Sequence, residues 1–383
     1  MSATPNPDVR HRHMPELQSL RGIAAALVMF GHAGAFYAEP IWFHQILMSV
    51  WNGTGAVVVF FVLSGYVLSN QLSREGVSPR STALFYVRRL FRIYPALWAA
   101  SLLALGYVVF LHWRVPVADT SAWFQDRFKI QRYTLIGIVA SFAGVLAFLL
   151  PPLWSIFAEL VGSLLMPLMA LSAVRRLAFL GVGLVLGAIS LTLGPHTYYG
   201  VGLYMFDFWL GAAGFYVVAA GWRALSPHAA IRPVVLVLAL AAIMAGPFFA
   251  SSQYDPLVTL AYALAALSVI VAIAGGWAGL GFLRSRALVS LGDWSYSLYL
   301  LHFPVMCLLA VGLQLAGASQ LGSVVRALLL VGLTTAVTIP LSAASYRFVE
   351  LPGIALGSNV VRRLRAWASR GSTEVETPVS RPA

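Results

Sequence analysis

Long apolar runs separated by short polar breaks constrain this chain more than any other feature. A helix that crosses the hydrocarbon core of a membrane needs about 20 apolar residues, and eleven runs of about that length fill most of the sequence. They lie near residues 20–38, 52–70, 93–112, 134–150, 154–171, 177–194, 201–220, 231–250, 256–274, 297–316 and 323–346. Only 10% of the residues are charged, against about 25% in soluble domains, which excludes disorder and an ordinary water-soluble enzyme. The pattern predicts an all-α fold, a polytopic transmembrane helical bundle.

The positions of the basic residues decide how many runs cross the membrane. The chain has 25 basic and 13 acidic residues, and the basic ones fall mainly in the breaks, as cytoplasmic loops require. With eleven crossings most of them would lie outside the cell. If residues 133–152 do not cross, most lie inside, so we predict ten crossings with both termini cytoplasmic. This topology explains the net charge of +12, and no nucleic-acid partner is predicted.

The predicted organisation is one membrane domain between two tails. Residues 1–14 form the N-terminal cytoplasmic tail, residues 15–352 the membrane domain, and residues 353–383 a basic and polar cytoplasmic tail.

Residues 133–152 are predicted to be a re-entrant or tilted segment. Pro151 and Pro152 end a helix there, because proline lacks a backbone donor and clashes with the preceding turn. Irregular backbone at membrane depth is tolerated where it lines protein or a wet cavity, so the break itself points to a site.

The first apolar run carries two ionisable residues, Arg21 and His32. An ionisable residue inside a span is costly, which makes each a functional candidate. Eleven residues are close to three helical turns, so both side chains share one face, about 16 Å apart along the axis. An imidazole can accept a proton from a hydroxyl group, as acyl or proton transfer requires. The alternative is a histidine hydrogen-bonded to a neighbouring helix and an arginine that only anchors the topology.

Two arginines at the start of the third run are candidates for binding phosphate. Arg89 and Arg92 are three residues apart and face the same way on a helix. The planar fork of arginine donates two parallel hydrogen bonds to phosphate, so the pair at the cytoplasmic lip could hold a phosphorylated donor. Anionic lipid headgroups would attract the same residues, and that alternative stays open.

Two later runs carry further polar side chains. Glu159 follows Ser155 by one turn on the same face, in the outer part of its predicted span, where a carboxylate needs a cation, a polar ligand or water. Ser295, Tyr299 and His302 also share one face. These hydroxyl and imidazole groups are predicted to bind substrate or line a pore; interhelical hydrogen bonding is the alternative.

Other candidates have simpler structural interpretations. Glu350 beside Arg347 most simply forms a local salt bridge, and the single cysteine, Cys307, is predicted to be a buried packing residue. Ser64 and Gly65 are small and are predicted chiefly to let helices approach. No metal site is predicted.

Taken in order along the chain, the motifs resemble the membrane acyltransferase type 3 family. They are Arg21 and His32 with ten residues between them, Phe-Phe-Val-Leu-Ser-Gly-Tyr at 60–66, Arg-x-x-Arg-Ile-x-Pro at 89–95, Trp-Ser-x-x-x-Glu at 154–159, and Ser-Tyr-Ser-Leu-Tyr-Leu-Leu-His at 295–302. The resemblance covers about 15–352. It departs from the family after the glutamate, where Leu-Val-Gly follows in place of the common Gln-Phe-Tyr, and it predicts a stand-alone form without a fused esterase-like domain.

The resemblance implies an inner-membrane O-acyltransferase that moves an acyl group, usually acetyl, from cytoplasmic acyl-CoA to hydroxyls of extracytoplasmic or lipid-linked glycans. It implies His32 as the catalytic histidine with Arg21 as its motif partner, Glu159 as a catalytic-site carboxylate, and Arg89 and Arg92 as binders of the acyl-CoA donor. We predict that Arg21 also binds the donor phosphates. The implied partners are a glycan or glycolipid acceptor and membrane lipids, with a homodimer left open. His32 would act as general base or carry the acyl group briefly.

Two functions of other classes remain open from the residues alone. Buried histidine, arginine and glutamate beside a broken helix also describe a transporter of an anionic or glycolipid substrate, although such folds are built from internal repeats, and none is evident here. The other alternative is a membrane anchor for a glycan synthase, in which the arginines only set topology.

Overall fold

The structure, a computed structural model, describes residues 14–221, 231–252 and 254–373. Regular structure in these ranges is helical, and the single extended pairing there is an isolated antiparallel bridge between Tyr37 and Thr120. The predicted all-α class is confirmed. The α-helices in the described ranges are α1 (Pro15–Gly34), α2 (Ile41–Val50), α3 (Gly53–Glu75), α4 (Pro79–Tyr107), α5 (Ala122–Arg127), α6 (Leu135–Phe142), α7 (Leu153–Ser172), α8 (Arg176–Thr192), α9 (Val201–Ala219), α10 (Arg232–Phe249), α11 (Pro256–Ala274), α12 (Arg286–Asp293), α13 (Ser295–Leu315), α14 (Ser323–Ser345) and α15 (Leu351–Thr373). Short π and 3-10 turns cover Val108–His112, Ile130–Arg132, Gly194–His196, Tyr198–Gly200, Gly281–Arg284, Ala318–Gln320 and Tyr346–Glu350.

Each of the ten runs predicted to cross forms a helix. By length and hydropathy, 8 helical stretches among the described residues can cross a membrane, which indicates a multi-pass membrane protein. The two remaining helices are α1, in which Gln18, Arg21 and His32 lower the hydropathy, and α8, which has only 17 residues. The count of ten crossings therefore stays a prediction.

The segment at 133–152 does not form another long helix. α6 has 8 residues, about 12 Å at 1.5 Å per residue, too short for a hydrocarbon core about 30 Å thick. The chain turns at Gly144, whose φ is +74°, and stays non-helical until α7 begins at Leu153. Proline is tolerated just before a helix because the backbone N–H groups there have no acceptor within the helix, so the N–H that Pro152 lacks costs no helical hydrogen bond.

α1 and α3 lie at the centre of the bundle. α1 packs against α3, α12, α13 and α14, and α3 packs also against α7, α9 and α11. A Cβ on Gly65 would stand 2.0 Å from the carbonyl oxygen of Phe208, and one on Gly211 would stand 1.9 Å from that of Val62. Small residues thus bring α3 and α9 into close contact, as predicted for Gly65. Because neighbouring helices enclose α1, its polar side chains face other protein groups.

The predicted tail begins inside a helix. α15 runs from Leu351 to Thr373 and packs along α4, with Gly353 and Gly357 against Phe91. The helix therefore passes through the boundary predicted at residue 352. The rest of that tail, residues 374–383, and nearly all of the predicted N-terminal tail lie outside the described residues.

Candidate active site

Two cavities lie toward opposite ends of α1. The arginine cavity, of about 440 Å³, is lined by residues that include Arg21, Arg88, Arg89, Arg92, Glu159 and Ser295. The histidine cavity, of about 890 Å³, is lined by residues that include His32, Glu39, Trp123, Arg127, Trp154 and Asp255. The eleven residues between Arg21 and His32 place these two side chains about 16 Å apart along the helix axis.

Arg89 is held by two partners on α7. Its Nη2 donates to Glu159 Oε1 at 2.6 Å and to Ser163 Oγ at 2.8 Å. Glu159 therefore lies on the arginine cavity and bonds the second arginine motif, not His32. The two side chains meet because α4 has 29 residues, more than the roughly 20 that a crossing needs, and Arg89 is its eleventh residue. Charge-assisted hydrogen bonds of this kind fix the orientation of a guanidinium group.

Arg92 is paired with a residue from the far end of the chain. Its Nη1 lies 3.4 Å from Glu350 Oε2, and the side chain of Glu350 is fully buried. The other oxygen, Oε1, accepts the backbone N–H of Ser297 at 3.0 Å and its hydroxyl at 2.5 Å. The predicted local pair of Glu350 with Arg347 is wrong, because Arg347 lies over the ring of Phe348 instead.

Two further guanidinium groups complete the arginine cavity. Arg21 forms no hydrogen bond or ion pair with the described residues, although the charges of Arg92 and Glu159 act on it. Arg88, which sequence reasoning missed, is bonded to Glu75 on α3; its i, i+4 spacing from Arg92 was the available signal. Four guanidinium groups line the cavity, and carboxylates pair with three of them. The remaining N–H donors of this cluster suit the cavity to a phosphate-bearing ligand.

His32 is hydrogen-bonded to a second histidine. His32 Nδ1 lies 2.8 Å from His302 Nε2, and His302 Nδ1 lies 3.2 Å from the carbonyl oxygen of Leu298. A carbonyl oxygen only accepts, so His302 Nδ1 carries the hydrogen and the bare Nε2 of a neutral ring accepts from His32. His32 Nδ1 is then the donor, which leaves the lone pair on His32 Nε2 free to take a proton.

Two aromatic rings also contact the imidazole of His32. Trp123 stacks on it with 5.2 Å between ring centroids, and Phe303 meets it edge-on at 6.2 Å. Trp123 belongs to α5, in the extramembrane stretch between two spans, and sequence reasoning missed it. Its i, i+4 spacing from Arg127 was a usable signal.

Val57 and Tyr299 line both cavities. Tyr299 is held by a hydrogen bond of 2.6 Å between its hydroxyl and Ser155 Oγ, and Ser155 Oγ also donates to the carbonyl oxygen of Pro152 at 2.9 Å. The broken segment thus supports the tyrosine that lies between the two cavities. The two cavities therefore share a wall at Val57 and Tyr299.

The predicted polar face of α13 serves both ends of the site. Ser295 and Tyr299 line the arginine cavity, as does Ser155 of α7. His302 is fully buried and is not among the residues that line either cavity; it contacts His32 instead, and its role in binding substrate or lining a pore stays a prediction. The cause of this contact is the packing of α13 on α1, which turns His302 toward His32.

No cluster of three or more metal-ligating side chains occurs within the described ranges. The groups that could hold a cofactor are the guanidinium groups of the arginine cavity.

The fold and the two cavities define a multi-pass membrane protein with an arginine-lined cavity toward one end of α1 and a cavity that contains His32 toward the other. The family described as "Acyltransferase domain" matches residues 14–343. The chain belongs to this family, the acyltransferase type 3 family, and the resemblance predicted from the motifs is confirmed.

Two relatives are similar to the chain over most of its length. Peptidoglycan O-acetyltransferase OatA of Listeria monocytogenes serovar 1/2a is 26% identical over 377 residues, which are 89% of this chain and 56% of that protein. The chain therefore spans little more than half the length of OatA. Acyltransferase MdmB of Streptomyces mycarofaciens is 28% identical over 327 residues, 76% of this chain and 79% of that protein. No solved structure matches the chain significantly.

Proposed function

We propose that the protein is an integral membrane O-acyltransferase that moves an acyl group, acetyl in the simplest case, from acyl-CoA to a hydroxyl of a glycan or glycolipid. One observation carries the proposal: His32 has a free Nε2 on one cavity, and four arginines line the other cavity, which meets the first at Tyr299. Membership of the acyltransferase family supports it. Both relatives are named as acyltransferases.

The arginine cavity is the proposed donor site. Acyl-CoA carries a diphosphate and a further phosphate, and Arg21, Arg89 and Arg92 offer guanidinium groups to them. Glu159 would position Arg89 rather than touch the reacting atoms, since its hydrogen bond goes to Arg89. The thioester arm would extend past Val57 and Tyr299 toward His32.

The histidine cavity is the proposed acceptor site, and His32 the general base. The acceptor oxygen bonds to the thioester carbonyl carbon while His32 Nε2 takes the hydroxyl proton. The carbon–sulfur bond then breaks, and the departing thiolate takes that proton from the imidazolium. The products are an O-acyl ester and free CoA. His302 would hold the His32 ring in the tautomer that the first step needs.

The proposed orientation follows the charge distribution. With ten crossings, the loops next to the arginine cavity are the basic ones, so this cavity faces the cytoplasm, where acyl-CoA is made. The histidine cavity then faces the outside of the inner membrane, and both termini are cytoplasmic.

Acetyl transfer across vesicles tests the proposal. Purified protein in phosphatidylcholine vesicles receives radiolabelled acetyl-CoA and soluble peptidoglycan fragments, chosen because one relative is named for that acceptor. Label is expected on the fragments with wild type and with His196→Ala, an exposed histidine that lines neither cavity. His32→Ala at equal expression is expected to transfer none. Equal transfer by His32→Ala would remove His32 from the mechanism, and unmodified fragments that cross would support transport instead.

A further inference from the structure

Arg127 is a cation of the histidine cavity without an anionic partner. Its side chain lines the cavity, its Nε is buried without a hydrogen-bond partner, and its guanidinium forms no ion pair with the described residues. A guanidinium group has five N–H donors and no acceptor. A partly buried one without partners is therefore suited to bind an anion that enters the cavity.

The other cations of the same predicted outer surface are all engaged. Lys129 and Arg132 both pair with Asp126, at 2.5 and 3.4 Å. Arg326 pairs with Asp119 at 2.8 Å, and Arg114 donates to a backbone carbonyl. Three of these cations form ion pairs and Arg114 donates to a backbone carbonyl, whereas Arg127 has neither kind of partner among the described residues and lines the histidine cavity.

Stacking links Arg127 to the proposed base. The guanidinium carbon lies 5.5 Å from the centroid of the Trp123 ring, and the same ring stacks on His32 at 5.2 Å. A cation held over an aromatic ring keeps its position while its N–H groups remain free at the edges. The guanidinium and the imidazole therefore both contact one indole ring and both line the histidine cavity, so one sugar-sized ligand can reach both groups.

The two carboxylates of the cavity do not compete for Arg127. Asp255 is engaged by Ser251 and by the backbone N–H groups of Leu257 and Val258. The oxygens of Glu39 are buried and have no hydrogen-bond partner among the described residues, so Glu39 is suited to a hydroxyl donor. The cavity thus offers an anion-binding group and a hydroxyl-binding group at separate places.

We propose that the acceptor carries an anionic group, a carboxylate or a phosphate, close to the hydroxyl that is acylated, and that Arg127 binds this group. The inference rests on the proposed function, because it takes the histidine cavity as the acceptor site. A site of this kind binds acidic sugars or phosphorylated glycolipids in preference to neutral glycans.

Binding of three small sugars to the full chain tests this selection without requiring turnover. The protein is placed in nanodiscs of phosphatidylcholine alone, and the thermal midpoint is titrated with glucose, glucuronate or glucose 6-phosphate. Wild type is expected to bind the two charged sugars at least about tenfold more tightly than glucose, since hydrogen bonds to charged groups are the strong ones. Arg127→Gln is expected to bind all three alike, and Arg127→Lys to keep part of the preference.

The matched control is Arg132→Gln, which removes the same charge five residues away, where the partner is Asp126. It is expected to bind like wild type. Equal or absent binding of the three sugars by wild type overturns the inference, and so does a preference that survives Arg127→Gln. If Arg127→Gln changes the midpoint only when phosphatidylglycerol is added, Arg127 binds lipid headgroups and the inference fails.

His32→Ala separates this inference from the proposed function. The variant is expected to lose acetyl transfer and to keep the preference for charged sugars. Transfer that survives His32→Ala overturns the proposed function, whatever the sugars show.

Discussion

His302 Nε2 accepts a hydrogen bond of 2.8 Å from His32 Nδ1, although the two histidines are 270 residues apart in the sequence. The bond fixes which nitrogen of His32 is free, so catalysis by His32 is expected to depend on His302. His302 is also held by the Leu298 carbonyl, which makes the pair a rigid unit rather than two independent side chains.

Replacing His302 is therefore expected to lower kcat without changing the KM for acetyl-CoA. A misplacement of about 1 Å at a reacting group costs about 100-fold, and His302→Ala is expected to lose about that much. His302→Gln places an amide oxygen that can accept from His32 Nδ1, so it is expected to recover part of the rate. The kcat of both variants is measured as acetyl transfer at saturating acceptor. Equal kcat values for wild type and His302→Ala would contradict the positioning role of His302.

The Arg89–Glu159 pair predicts the opposite kinetic signature. Glu159→Gln weakens the hydrogen bond that orients Arg89, so the KM for acetyl-CoA is expected to rise, by roughly tenfold for the loss of a charge-assisted hydrogen bond. The kcat is expected to stay within a few-fold, since Glu159 does not touch His32. Arg89→Lys is expected to raise KM as well, because lysine lacks the planar fork. A large fall in kcat with unchanged KM would place Glu159 in the chemical step instead.

The sequence predicted the helices well because an apolar run is a local property. Every run assigned to a crossing forms a helix. The predicted helix end at Pro151 and Pro152 is wrong, because α6 already ends at Phe142 and Pro152 instead precedes the start of α7. Arg21, His32 and Glu159 were also singled out, since charge within an apolar run is visible without a fold; Arg88 and Arg127, which also line the cavities, were missed.

Partners across the bundle could not be predicted from sequence. His302 lay on a predicted polar face, but its bond to His32 depends on how α13 packs on α1. Glu159 was placed near the outer end, yet it meets Arg89 because α4 is longer than a single crossing needs and carries Arg89 deep into the bundle. The type of a residue and its place in an apolar run can be read from the sequence. Its depth in the bundle and its hydrogen-bond partner on another helix depend on tertiary packing.

Close contact between α3 and α9 predicts that an added methyl group is not tolerated at Gly65. Its Cβ would stand 2.0 Å from the backbone oxygen of Phe208, and backbone cannot move aside as a side chain can. Gly65→Ala is expected to destabilise the protein by about 3 kcal/mol, the upper end for overpacking. Gly312→Ala is the control, because no atom lies within 4 Å of that added Cβ. Thermal midpoints in mild detergent compare the two, and equal midpoints would refute the close contact.

Glu39 predicts a pH dependence of stability. It lies in the loop between α1 and α2, and burial raises its pKa from 4.5 to about 7. Between pH 4.5 and 7 the unfolded chain releases this proton while the folded protein retains it, so the free energy of unfolding falls as pH rises through this window. Glu39→Gln removes the titration, and its thermal midpoint is expected to rise relative to wild type between pH 5 and pH 8.

Asp255→Asn is the control for Glu39 because the two pKa values shift in opposite directions. Hydrogen bonds from Ser251 and from the backbone lower the pKa of Asp255, so this carboxylate stays ionised in both the folded and the unfolded chain across pH 5 to 8. Asparagine keeps the helix cap through its amide oxygen, but its amide nitrogen cannot accept the hydrogen bonds from Ser251. This loss is expected to cost about 1 kcal/mol at either pH. The thermal midpoint of Asp255→Asn is expected to differ from that of wild type by the same amount at pH 5 and pH 8. If the difference between Glu39→Gln and wild type is equally constant, Glu39 does not titrate in this window. A neutral amide at position 39 would then have no advantage at high pH, and the buried carboxylate would have to be paired.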